Sequence, residues 1–352
     1  MKSAPHNIYI HVPFCMSKCN YCAFFSQACN APDWGKYTDE ICDEIAHWGK
    51  MLGTPGVPTI FFGGGTPSLM PVKSFEKIIN TIQKNFNLAQ DSEITLESNP
   101  GTLDKEKLGE FKKIGMNRLS IGVQSLDDKK LQFMGRRHNV SDALNLIQSA
   151  QNMGLRVSAD FIYGLPEDTE KTVIDLCRQI NQIGLEHISM YELTIEENTP
   201  FGKMNLNMPS NKEMAKMYMA IDNHLNLPRY EVSNYCAPGQ ECQHNQNIWD
   251  GEPYIGIGRG AAGRILLDNT WHEQLGGGAR FEKISNNVRA TEMILTGMRT
   301  IRGCHLTDMV KNVIDIDWVA QHPEYVKIQD ECISATTQGM LILDDIIVNI
   351  IR

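Results

Sequence analysis

The strongest constraint on this chain is a repeating strand–helix rhythm. Short β-branched or aromatic runs at Ile8–Val12, Thr59–Phe62, Ile94–Leu96, Arg118–Gly122, Val157–Phe161 and His187–Tyr191 are separated by stretches of helical periodicity. Strands joined through helices pair in parallel, so the choice narrows to a (βα) barrel or an open doubly wound sheet. Tyr37, Ile41, Ile45, Trp48 and Leu52 form one expected helix face, and Phe75, Ile78, Ile79, Ile82 and Phe86 another. Ser141 and Thr169 stand where N-caps belong, before faces at Leu144, Ile147 and Ala150 and at Val173, Cys177 and Ile180. Gly115, Gly154 and Gly184 end three helices, where glycine suits a left-handed cap.

The residues just past each strand favour the barrel. Cys15, Cys19 and Cys22 come after the first, GGGTPS after the second, ESNP after the third and GVQS after the fourth, while Asp160 closes the fifth. Barrel enzymes gather their chemistry at these C-terminal strand ends. The alternation stops near Pro228. Residues 230–254 then read as a long functional loop, and the tail from about Asn286 as a small helical or winged-helix module. The expected division is a barrel over 1–235 and a smaller, mainly helical region over 236–352.

Lys and Arg total 33 against 42 Asp and Glu in 352 residues, a formal charge of −9, which argues against a nucleic-acid partner. No window of about 18 apolar residues exists to span a bilayer, and Met1–Tyr9 is too polar for a signal peptide. Ten cysteines without an export signal point to a reducing, cytoplasmic setting, where clustered thiols hold metals more often than they form bridges.

FCMSKCNYC sets Cys15, Cys19 and Cys22 in a polar loop directly after a strand. A 4Fe–4S cluster takes four thiolates. Three of them leave one iron free to bind a small molecule, and a zinc knuckle completed by Cys29 or His11 is the alternative. After the second strand, Gly64, Gly65 and Thr66 offer close backbone approach and free N–H groups to a carboxylate, as a tight βα turn also would. Glu97, Gln124, Arg136 and Asp160 add, near later strand ends, groups able to hold an ammonium, a ribose diol or a carboxylate.

IYIHVPFCMSKCNYCAF closely resembles the radical S-adenosylmethionine signature, in the branch of the coproporphyrinogen dehydrogenase HemN and the heme chaperone HemW. The resemblance implies a partial (βα)6 barrel and a 4Fe–4S cluster on Cys15, Cys19 and Cys22. It also implies S-adenosylmethionine bound to the open iron and cleaved to a 5′-deoxyadenosyl radical. Gly64, Gly65, Thr66, Glu97, Gln124, Arg136 and Asp160 match family positions that contact this cofactor, as does Tyr9; Tyr21 contributes its backbone.

Within the branch, the dehydrogenase carries a fourth cysteine where this chain has Phe24, and a longer N-terminal extension. Both differences resemble HemW. QHNQNIWD matches the HemW heme-binding motif at His244, Asn245 and Trp249, with Ile248 in place of its tyrosine; Cys236 and Cys242 are alternative zinc or heme ligands nearby. Ala262 replaces a family histidine and inherits no role. Gly258, Gly260 and Gly263 spell a dinucleotide fingerprint, but the ILLDNTWHEQLGGG that follows reads as neither helical nor part of a β-α-β unit. The implied function is heme binding and delivery to respiratory hemoproteins, with peripheral contact at the membrane. The rivals are coproporphyrinogen III decarboxylation and a zinc-stabilised binding protein.

Overall fold

The computed structural model describes residues 4–278 and 280–352. All six expected strands form: β1 (Asn7–Val12), β2 (Gly56–Gly64), β3 (Asn87–Ser98), β4 (Arg118–Gln124), β5 (Arg156–Tyr163) and β6 (His187–Glu192). They pair in parallel in chain order. The helices between them include α1 (Trp34–Leu52), α2 (Val72–Asn85), α3 (Lys105–Ile114), α4 (Asp128–Phe133), α5 (Val140–Asn152) and α6 (Glu170–Ile183).

The 230–254 stretch is more ordered than a loop. After α7 (Asn211–His224) it contains β7 (Arg229–Glu231), β8 (Asn234–Cys236) and α8 (Gln243–Trp249), and α8 carries His244. Beyond it, β9 (Tyr254–Ile257) joins the barrel as a seventh parallel strand beside β1. An antiparallel meander of β10 (Gly263–Leu267), β11 (Thr270–Gln274) and β12 (Phe281–Lys283) continues the sheet. The sheet order is β12-β11-β10-β9-β1-β2-β3-β4-β5-β6-β8-β7. Residues 254–283, on the C-terminal side of the division drawn at 235, thus belong to this same sheet. From α9 (Asn286–Gly297) onward, helices pack with a small three-stranded antiparallel sheet. The 258–263 glycines turn β9 into β10 and no helix follows, so the dinucleotide reading fails on geometry.

The barrel strands face two ways. Ile8, Ile10, Val12, Ile60, Phe62, Leu119, Ile121 and Ile188 point outward into the core under the helices, all at most 1% exposed. Their alternates Tyr9, Phe61, Glu97, Ser120, Asp160 and Ser189 line the lumen. A parallel strand covered on both faces by core is normally apolar throughout; here the period-two alternation puts polar groups inside the barrel.

The helix readings mostly hold. Tyr37, Ile41, Ile45, Trp48 and Leu52 are buried on α1, and Phe75, Ile78, Ile79 and Ile82 on α2. Thr169 caps α6 with a reciprocal capping box. Ser141 is not a cap: Asn139 performs that role two residues earlier, so the buried face of α5 is Ala143, Leu146, Ile147 and Ala150, while Leu144 is exposed. Phe75 sits between Phe62 and Phe111 with both ring centroids 4.9 Å away. Phe75→Ala should lower the stability by about 3–5 kcal/mol, read as a shifted midpoint of denaturant unfolding under anaerobic conditions.

Candidate functional site

Cys15 ends a two-residue strand that pairs with Gln27–Ala28, and the loop beyond it is pinned from outside. Asn20 donates its side-chain amide to the Phe133 carbonyl at 2.8 Å and its N–H to Met134, and accepts from the Phe201 N–H. Cys15, Cys19 and Cys22 then line one cavity of about 370 Å³ together with Tyr21, Gly64, Gly65, Thr66, Glu97, Gln124, Arg136 and Asp160. Arg136 donates to the Cys19 sulfur at 3.4 Å and Thr66 Oγ1 to that of Cys15 at 3.7 Å. Arg136 also donates to the Gly122 carbonyl and to Asn99 Oδ1, and Asn99 donates to Thr66, so the strand ends are tied together.

The cavity suits a cluster better than a zinc ion. Among the described residues no three His, Cys, Asp or Glu side chains converge on a single ion position. A cubane tolerates that separation because each thiolate binds a different iron, whereas zinc needs all its ligands around one centre. The two completing ligands considered for zinc are also absent from the cavity. His11 uses both ring nitrogens, on Tyr9 Oη and the Phe25 carbonyl, and Cys29 lines a neighbouring groove. Phe24, at the position of the dehydrogenase's fourth cysteine, is 68% exposed at the cavity edge.

The glycines act differently from the expectation. Their N–H groups are not free: Gly64 donates to Glu97 Oε2 at 3.0 Å, Gly65 to the Val12 carbonyl and Thr66 to the Phe14 carbonyl. Space is the reason for them. Gly64 has φ +113°, and a Cβ there would lie 2.6 Å from the His11 ring; one on Gly65 would lie 2.6 Å from the Phe14 oxygen and 3.0 Å from the Cys15 sulfur. Gln124 is a non-glycine residue at φ +69°, strain of the kind that binding sites store.

Tyr9 is not in the cluster cavity. It lines a second, inner cavity of about 370 Å³ that shares Glu97, Ser120, Asp160 and Tyr191 with the first, so these four residues stand between the cysteines and the barrel floor. His244 stands on that floor, 2% exposed and stacked on Phe61 at 5.1 Å. A hydrogen-bond chain sets its tautomer. Asn7 gives its amide N–H to Pro253, and its Oδ1 accepts the Thr59 hydroxyl at 2.8 Å. The Thr59 oxygen therefore accepts from His244 Nδ1–H at 2.7 Å. Nε2 is left as a buried lone pair without a partner, in a residue that lines the inner cavity. Burial holds this imidazole at a pKa of about 4, with the nearby Glu93 opposing and Arg118 reinforcing the shift. Trp249, beside Tyr230, is not among the cavity residues, whereas Asn245 and Ile248 are. Cys236 and Cys242 line neither of the two cavities, and burial pushes both thiols up to about 12.

Asn7, Thr59, Asn99, Arg118 and His187 were missed in the sequence. Asn7, Thr59, Arg118 and His187 carried the signal of a polar side chain within a mostly apolar strand, whereas Asn99 lies just past the end of β3.

A Radical SAM superfamily model matches residues 9–180. Heme chaperone HemW of Escherichia coli is 35% identical over 272 residues, covering 76% of this chain and 72% of that protein. HemW of Bacillus subtilis is 34% identical over 274 residues, with 75% and 71% covered. HemW of Mycobacterium tuberculosis is 31% identical over 331 residues, covering 87% of this chain and 84% of that one. The chain belongs to the HemW family of the radical SAM superfamily. The coproporphyrinogen III oxidase (HemN) structure from E. coli shares the fold, with a TM-score of 0.81 at 17% identity over 99% of this chain and 90% of that one. Superfamily membership implies a 4Fe–4S cluster and S-adenosylmethionine, and the donor set of the cluster cavity fits both.

Burial, then the neighbouring Asp160, raises the Glu97 carboxyl from 4.5 to about 8. A carboxyl whose folded pKa is raised stabilises the fold fully below its unfolded pKa, and that contribution is lost as pH rises through the folded value. Cofactor-free protein should therefore lose stability between about pH 5 and 8, and Glu97→Gln should flatten the loss. Thermal melts across that range check this; an unchanged slope would remove Glu97 as its source.

Proposed function

We propose that this protein is a heme chaperone that keeps a 4Fe–4S cluster on Cys15, Cys19 and Cys22, binds S-adenosylmethionine against Glu97, Gln124, Arg136 and Asp160, and binds heme at His244. The observation that carries the heme assignment is the unpaired, buried Nε2 of His244, a residue that lines the inner cavity. A neutral imidazole whose other nitrogen donates to a fixed acceptor is the usual form of a metal-binding histidine. Phe61 beneath the ring and Ile248 beside it give the position an apolar side.

The remaining residues have separable tasks. Glu97 and Asp160 form an acidic wall between the two cavities, where an ammonium would relieve the burial that raises both carboxyls. Arg136 offers a cation to a carboxylate and holds Cys19 in place. When bound, the cluster supplies an electron source and an open iron site. Delivery to respiratory hemoproteins, by a cytoplasmic protein touching the membrane from outside, is the task we infer. No helix among the described residues is long and apolar enough to cross a membrane, and the exposed Phe24 and Phe25 provide an apolar rim. The dehydrogenase alternative has the shared fold in its favour and lacks the fourth cysteine.

Titration of anaerobically reconstituted protein with ferric heme should give a Soret band that His244→Ala weakens, with affinity falling about tenfold or more. Because His244 stays neutral down to about pH 4, that band should persist at pH 5, where an exposed histidine of ordinary pKa is protonated. A vinyl-bearing product formed from coproporphyrinogen III would overturn the chaperone reading.

A further inference from the structure

The inner cavity holds a positive charge that none of the roles above uses. Arg118 opens β4, is 3% exposed and lines the cavity that His244 faces. Other guanidinium groups that are buried or half-buried have close partners. Arg156 pairs with Glu93 at 2.8 Å, and Arg289 with Glu292 at 3.1 Å and with the Gly251 carbonyl at 2.6 Å. No hydrogen bond or ion pair reaches the Arg118 side chain among the described residues.

The acids that balance it from a distance, Glu93 and Asp160, are engaged elsewhere. Glu93 accepts from Arg156 and from the Gln243 and His244 N–H groups, and Asp160 from Ser120. Burial also holds the Asp160 carboxyl above its ordinary range. A guanidinium carries five N–H donors in a planar fork and is costly to bury without acceptors. His244, which lines the same cavity, keeps a buried Nε2 without a partner.

One cavity therefore offers a lone pair, an apolar side at Phe61 and Ile248, and a cationic fork. The ligand that would satisfy all three is a planar metal chelate bearing a carboxylate. We propose that Arg118 is the receptor for a propionate of the heme whose iron His244 faces, an inference that rests on the heme reading above. Arg118 then selects for the free acid, since a guanidinium pairs with a carboxylate through two parallel hydrogen bonds and with an ester far more weakly.

The test compares ferric heme with its dimethyl ester on the full chain, cluster-reconstituted, by Soret titration. Wild-type protein should bind heme about tenfold or more tighter than the ester, and Arg118→Gln should bind both alike, near the wild-type affinity for the ester. Arg118→Lys, which keeps the charge and loses the fork, should retain part of the discrimination and covers failure of the Gln variant to fold. Equal wild-type affinities, or discrimination undiminished in the variants, would overturn the proposal while leaving heme binding intact. Binding of neither porphyrin would overturn the heme reading along with it. Acetate that competes with heme but not with the ester would support the assignment, and acetate that weakens both equally would place a free carboxylate on Arg118 instead.

Discussion

Period-two alternation along parallel strands that sheathe an open barrel is the constraint on which the remainder of the molecule depends. Outward positions such as Ile10, Phe62 and Ile121 are fully buried beneath helices and hold the sheet's curvature. Inward positions such as Glu97, Arg118 and Asp160 are consequently trapped in a lumen where water is scarce and each charge needs a partner or a ligand. Most barrels fill this space with branched apolar side chains. Here a polar lumen lies under an apolar outer face, so the interior is a binding channel rather than a core.

That arrangement explains the electrostatics at both ends. Near the cysteines, the raised carboxyls of Glu97 and Asp160 await a cation, and the Arg136 guanidinium steadies the Cys19 sulfur. At the floor, the Asn7–Thr59 relay fixes one tautomer of His244, and Arg118 keeps a forked cation without acceptors. The two ends share four wall residues, so whatever binds at one end changes the field felt at the other. Cofactor and cargo sites placed as proposed would share these walls, which would give a physical basis for coupling between them.

Much of this was legible in the chain. The six strands, the faces of α1 and α2, the Thr169 cap and the gathering of Cys15, Cys19, Cys22, Glu97, Gln124, Arg136 and Asp160 on one cavity come from local periodicity and from motif spacing at strand ends. The errors came where local signals compete. Asn139 caps α5 instead of Ser141 because its side chain and that of Asp142 satisfy each other's backbone N–H, an advantage no single residue announces. The 230–254 stretch looked like a loop because its strands have three residues each and its helix seven.

The sequence alone determined the parallel topology, the thiol set and the family relationship, because each depends on neighbours within a few residues or on spacing along one strand. Only the tertiary structure decided that Tyr9 lines the inner cavity, that the 64–66 N–H groups are already engaged, that β9 joins the barrel beside β1, and that Arg118 and His244 line the same cavity. Those facts depend on contacts between residues remote in the chain, such as Asn7 with Asn247, 240 positions apart. Whether a polar group is satisfied or left waiting is set by what the fold brings to it, and no local pattern encodes that.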